Sequence, residues 1–267
     1  MERTAVLVLG HGSRRGRANQ EFEELVALLR ERRPGLDVAQ AYIELARPLL
    51  GAALAQLAER ADRVIVLPLF LFAAGHVKDD LPRALAAARA AFPRTRFEAA
   101  RHLGVHRAMV ELAAGHARGA LPAGEGEASR TALLAVGRGA SDADANGDFC
   151  KLVRLVGEEA GFAAAEPSFI AITRPRFAEA AERLALSRPA RVLVLPYFLF
   201  EGLLVEQLAG EVEAFAGRHP GLDVRLAPHL GVHEPLLRLL EARLDEALAG
   251  AAALPCDACP RRGAAEG

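Results

Sequence analysis

Two stretches more than a hundred residues apart carry the same strand-to-loop unit, VLVLGHGSRR at 6–15 and TALLAVGRGAS at 131–141. The likeness runs the length of the chain. Thr4 aligns with Thr131, Asn19 with Asn146 and Phe22 with Phe149, and ARPLL (46–50) with TRPRF (173–177), all at an offset of 127. RVIVLPLFLF (63–72) matches RVLVLPYFLF (191–200) at 128, and HLGVH (102–106, 229–233) returns to 127. A chain that repeats its order of apolar and polar runs in this way folds as two copies of one unit. The expected organisation is an N-terminal lobe over 1–120, a Gly/Ala/Glu linker over 121–130, a C-terminal lobe over 131–250 and a cysteine-containing tail over 251–267.

Within the first copy, apolar runs predict strands near 4–9, 38–43, 63–69 and 95–100. Helical patterns fall near 18–32, 49–60, 79–91 and 105–118. Runs such as VIVLPLF are apolar at every position, which predicts burial on both faces, as in a parallel sheet covered by helices. Each copy therefore reads as a doubly wound α/β unit, and right-handed crossovers favour the strand order 2-1-3-4. The fold class expected is α/β, two duplicated parallel-sheet lobes with a cleft between them.

Bulk composition narrows the function. With 52% hydrophobic residues, 25% charged residues and a formal net charge of −1, the chain has no basic block to hold nucleic acid. No run approaches the ~18 apolar residues of a membrane span, and the first residues lack the ~7–15 apolar residues of a secretion signal. The expected location is the cytoplasm, as a monomer or a homodimer, without membrane or nucleic-acid partners.

The order 2-1-3-4 sets strand 1 between strands 2 and 3, and ligands bind beyond the carboxyl ends of such strands. His11 follows strand 1, Glu44 ends strand 2, and His76 lies in the loop after strand 3. Two imidazoles and a carboxylate suit a borderline divalent ion such as Co²⁺, Fe²⁺, Ni²⁺ or Zn²⁺ and leave coordination positions open. They also suit proton uptake near neutral pH. The repeat supplies an internal control: His11 corresponds to Arg138, Glu44 to Ala171 and His76 to Leu204, so all three ligands are lost together. Scaffold residues persist in both copies, whereas site residues are free to survive in one. By the same test His102, His106, His229 and His233 belong to the fold. GHGSR lacks the spacing of a Walker loop or a dinucleotide fingerprint. Gly10, not the arginine that a histidine phosphatase requires, stands directly before His11.

LVLGHGSR, the glutamate ending strand 2, LPLFLFAAGHVKDDLP and the duplicated halves together resemble the class II tetrapyrrole chelatases, in particular the sirohydrochlorin cobaltochelatase/ferrochelatase group. The resemblance covers about residues 3–248. It implies ATP-independent insertion of Co²⁺ or Fe²⁺ into sirohydrochlorin, on the route to cobalamin or sirohaem, with His11, Glu44 and His76 as the catalytic metal-binding set. Because sirohydrochlorin is rich in carboxylates, Arg14, Arg15, Arg17, Lys78 and Arg138 are candidate substrate-binding groups. Phe72, Ala73, Ala74 and Phe200 are candidates for the apolar face of the ring. Some longer members carry a C-terminal cysteine motif associated with an iron–sulfur cluster. Cys256 and Cys259 thus read either as a thiol pair or as half of a cluster site shared by two chains. Two other readings stay open: a chelatase for another tetrapyrrole or metal (protoporphyrin, Ni²⁺), and a non-catalytic divalent-metal-binding protein.

Overall fold

The most continuously apolar strands take the centre of each sheet. In the computed structural model, which describes residues 2–124 and 126–250, the first sheet contains β1 (Thr4–Gly10), β2 (Asp37–Tyr42), β3 (Arg63–Pro68) and β4 (Arg96–Ala99). The second contains β5 (Thr131–Gly137), β6 (Ala164–Phe169), β7 (Arg191–Pro196) and β8 (Asp223–Leu226). All pairings are parallel, and the orders are β2-β1-β3-β4 and β6-β5-β7-β8, as the crossover rule predicts. The central β3 is buried throughout and β1 at every position after Thr4, whereas the edge strands β2 and β4 mix buried and accessible positions.

The helices are α1 (Gly16–Arg32), α2 (Leu50–Ala58), α3 (Leu81–Ala91), α4 (Arg107–Gly119), α5 (Ala143–Ala160), α6 (Phe177–Leu186), α7 (Leu203–Arg218) and α8 (Glu234–Leu248). On one face of the first sheet, Leu7, Leu9, Val64 and Val66 pack with Leu54 and Leu57 of α2 and Leu81 and Leu85 of α3. The second sheet repeats this with Leu134, Val136, Val192 and Val194 against Phe177 of α6 and Leu208 and Phe215 of α7.

The lobe boundaries differ from those the repeat suggests. One compact unit takes the chain up to Gly104 together with the segment from Leu236, and the other takes Val105–Pro235. The last helix of each half has thus changed places: α4 packs against α5 and β7, and α8 completes the first unit. Polar contacts hold α8 there. Arg63, 6% exposed, donates to the carbonyls of Ala247 (2.7 Å) and Leu248 (3.3 Å), and Arg33 pairs with Glu241 and Asp245. Arg243 donates to the carbonyls of His102 and Leu103, both at 3.1 Å. The described residues 121–124 and 126–130 are more than a tether: they belong to the second unit, and Glu127 pairs with Arg191 at 2.6 Å.

Two of the HLGVH histidines make contacts within the second unit. His106 caps α4 by accepting from the N–H of Ala108 (3.2 Å), and His233 packs edge-on against His116. His102 is partly buried, with its pKa pushed down to about 4, first by desolvation and then by Arg243, Arg101 and Lys78.

Candidate metal centre

Three adjacent strand ends meet at one level, because Gly10 of β1 lies beside Tyr42 of β2 and Leu9 beside Pro68 of β3. Backbone pairing continues past β1 and β2: the Ile43 N–H bonds to the Gly10 carbonyl and the Glu44 N–H to the His11 carbonyl, both at 3.0 Å. His11 and Glu44 are therefore neighbours by sheet geometry. His76 arrives from β3 through the loop 69–75 and opens a single π-helical turn, His76–Asp80, ahead of α3. In that turn the Leu81 N–H reaches back to the His76 carbonyl, and Pro82, which has no N–H to donate, follows.

The histidine loop is held from below. Asn19 in α1 accepts from the Ser13 N–H (3.0 Å) and donates to the Ser13 carbonyl (2.8 Å). The Arg15 N–H bonds to Ser13 Oγ, so two backbone donors that an anion cradle would need are already engaged. Gly10 rests on the Phe22 ring, where a β-carbon would come within 2.9 Å. Gly12 has φ +90° and passes so close to the Glu44 carbonyl that a β-carbon would sit 1.9 Å from it. After Glu44, Leu45 adopts φ +62° and the Ala46 N–H returns to the Glu44 carbonyl at 2.7 Å, forming a γ-turn. Backbone strain of this kind at a non-glycine residue concentrates at functional sites.

His11, Glu44 and His76 each offer a ligand atom, and these atoms lie within 4.8 Å of one another, the one such group among the described residues. Donors at ~2.1 Å from a single ion are at most about 4.2 Å apart, so holding one ion draws the three ligand atoms only slightly closer together. His11 Nδ1 lies 3.0 Å from the Gly12 carbonyl, which accepts from it and leaves Nε2 as the open nitrogen. That Nε2 is buried, 3.5 Å from Glu44 Oε1 and without a hydrogen-bond partner. A buried nitrogen lone pair of this kind fits a cation. The two imidazoles stand edge to face, with centroids 4.8 Å apart.

Asp80 is the residue the sequence alone did not single out for the site. It accepts from His76 Nδ1 at 2.7 Å, and its other oxygen takes Arg83 at 2.6 Å. These two partners, His76 foremost, hold its carboxyl below the usual carboxylate range. The i, i+4 spacing from a candidate histidine ligand was the available signal, but an Asp opening a helix reads equally well as a helix-start residue.

The cationic candidates are arranged differently. Arg14, Arg15 and Arg17 are exposed around the start of α1, and Lys78 is partly buried in the π turn. Arg138 is exposed at the end of β5, in the second unit. Ala73 is buried, and Phe72, Ala74 and Phe200 are partly buried. Cys256 and Cys259 lie outside the described residues.

In the second copy the scaffold is kept without the ligands. Asn146 bonds to both the N–H (2.9 Å) and the carbonyl (2.8 Å) of Ala140, Gly137 lies over Phe149, and Gly139 has φ +81°. The Ala171 N–H bonds to the Arg138 carbonyl at 3.1 Å, the counterpart of the Glu44–His11 pairing.

The profile of the CbiX family matches this chain twice, over residues 5–119 and 132–247. The chain belongs to the CbiX family. The two matches coincide with the two copies of the repeat. The sirohydrochlorin cobaltochelatase of Priestia megaterium is 32% identical over 259 residues, covering 97% of this chain and 84% of that protein. The sirohydrochlorin ferrochelatase of Bacillus subtilis (strain 168) is 26% identical over 250 residues and covers 92% of each chain. In fold, the structure is similar to that of SirB from Bacillus subtilis with Fe³⁺, with a TM-score of 0.82 at 24% identity over 93% of this chain and 96% of that one.

Proposed function

We propose that this protein inserts a divalent metal, Co²⁺ or Fe²⁺, into sirohydrochlorin without ATP, in cobalamin or sirohaem biosynthesis. The observation that carries the proposal is the convergence of His11, Glu44 and His76 at one set of strand ends, with the buried His11 Nε2 open to a cation. The relatives named as cobaltochelatase and ferrochelatase supply the substrate class.

In this reading the metal is a substrate. His11 and His76 through Nε2, and Glu44 through its carboxylate, take the ion from water and hold it with coordination positions open for the macrocycle. As the ion passes to the ring, two pyrrole N–H protons must leave, one for each nitrogen that becomes anionic. The nitrogens and the carboxylate oxygen that release the ion are the bases at hand to take them. Arg14, Arg15, Lys78 and Arg138 bind the carboxylates of the ring as charge-assisted partners. The reaction takes place in the cytoplasm.

Anaerobic incubation with sirohydrochlorin and Co²⁺, Fe²⁺ or Ni²⁺, followed by absorbance, tests the proposal. Accelerated metallation with Co²⁺ or Fe²⁺ is expected. A rate equal to the uncatalysed one with every metal would overturn it, and tight ion binding without turnover would favour a metal-binding protein instead.

A further inference from the structure

The repeat can be asked about residues behind the ligands as well as the ligands themselves. The offset between the copies changes from 128 at β3/β7 to 127 at the HLGVH stretches. In three dimensions the change falls between Phe72 and Leu81. Leu69 and Tyr197, 128 apart, donate to equivalent carbonyls of the first strand of their copy, Leu9 and Val136, whereas Leu81, Leu85 and Ala88 match Leu208, Val212 and Phe215 as buried positions at 127. Counted from the strand, His76 corresponds to Leu204; counted back from the helix, to Leu203. Both are leucines, so the loss of the third ligand does not depend on the alignment chosen. Asp80 likewise corresponds to Leu208 or Gln207, and Arg83 to Glu211 or Gly210. Asp80 and Arg83 are thus missing from the second copy together with the ligands, while Asn19, Phe22 and the loop glycines recur.

We propose that Asp80 is a positioning residue for metal capture: held by Arg83, it accepts the Nδ1 proton of His76 and keeps Nε2 as the ligand atom. The inference rests on the metal-site reading above. An exposed i, i+4 ion pair contributes little to stability, so a mere surface pair has no reason to disappear in step with a metal site. The geometry is also more constrained than that of a surface pair. The π turn brings residue 80 under residue 76, the 2.7 Å contact orients the ring, and Arg83 holds the second carboxylate oxygen at 2.6 Å. A carboxylate on the far nitrogen of a metal-bound imidazole fixes its tautomer and raises its basicity, and losing such a partner costs ~10–100-fold in metal affinity.

The test uses the metal-free full-length protein, titrated with Co²⁺ by visible absorption and read as the part of the signal that His11→Ala removes. The His76 tautomer is followed separately by ¹⁵N NMR. Asp80→Ala is expected to weaken Co²⁺ binding by ~10–100-fold and to shift His76 away from the Nδ1–H form, with unchanged thermal unfolding. Asp80→Asn, whose amide oxygen still accepts the Nδ1 proton, is expected to recover most of the affinity. An Asp80→Ala protein that binds Co²⁺ within twofold of wild type, with the tautomer unchanged, would overturn the positioning role alone. Wild-type protein without a Co²⁺ signal sensitive to His11→Ala would overturn the metal-site reading and this inference with it.

Discussion

The loops Gly10–Ser13 and Gly137–Ala140 have the same architecture and different chemistry. Each crosses a phenylalanine, carries a second glycine with positive φ, and is tied down by an asparagine six residues beyond the last loop residue. One presents an imidazole to a carboxylate and a second imidazole; the other presents an exposed arginine where the facing positions are alanine and leucine. Duplication thus separates what a loop needs in order to fold from what it needs in order to act. The γ-turn at Leu45 supports the division. Its counterpart Ile172 is not among the non-glycine residues with positive φ, so the strained backbone accompanies the copy that has the ligands.

The largest effect should come from the ligands. His11→Ala and His76→Ala are each expected to lower metal insertion at least about a hundredfold, since they remove ligands outright where loss of an orienting partner alone costs 10–100-fold. The unfolding midpoint should move by less than about 2 °C. Matched turnover and melting measurements would break the comparison if Leu204→Ala cost as much activity as His76→Ala.

Gly12→Ala should be more disruptive than Gly139→Ala. The first places a β-carbon 1.9 Å from the Glu44 carbonyl, the second 2.9 Å from the Thr173 nitrogen. Both add a positive-φ penalty of ~1–3 kcal/mol, so denaturant unfolding should rank Gly12→Ala clearly below Gly139→Ala. Equal losses would mean that the tight contact at Glu44 does not distinguish the copies.

Asn19→Ala and Asn146→Ala each remove two loop hydrogen bonds and should cost a similar ~1–3 kcal/mol of stability. Only Asn19→Ala should also weaken Co²⁺ binding, because only its loop carries a ligand. Isothermal titration of both variants would sharpen the contrast.

The last effect is one of pH and is absent at neutral pH. His102 has a folded pKa of about 4 against 6.5 for the free side chain, so between those values the unfolded chain binds the proton more readily. Its burial is neutral in effect above pH 6.5, and stability falls as pH drops from about 6.5 to about 4. His102→Gln should flatten that part of the stability profile, and an unchanged slope would show that the proton is not excluded.

The topology and the convergence of His11, Glu44 and His76 were legible in the sequence because both follow from local patterns: apolar runs long enough for central strands, and a repeat that marks what one copy lacks. The exchange of α4 and α8 was not legible. Chain order assigns each helix to its own half, and the contacts that decide otherwise, Arg63 to Ala247 and Arg243 to His102, link residues more than a hundred positions apart. Asp80 was hidden for a different reason. A carboxylate at the start of a helix has a common role of its own, and only the 2.7 Å contact with His76 distinguishes the two.

The central claim is that the copies divide scaffold from chemistry, and converting the first loop to the residue of the second tests it most directly. Initial rates of Co²⁺ insertion into sirohydrochlorin should be compared for His11→Arg and Arg138→His. The account predicts that His11→Arg lowers kcat at least about a hundredfold with the fold intact. Arg138→His should raise KM and leave kcat near the wild-type value. Substantial turnover by His11→Arg, or an equal fall in kcat for both variants, would contradict it.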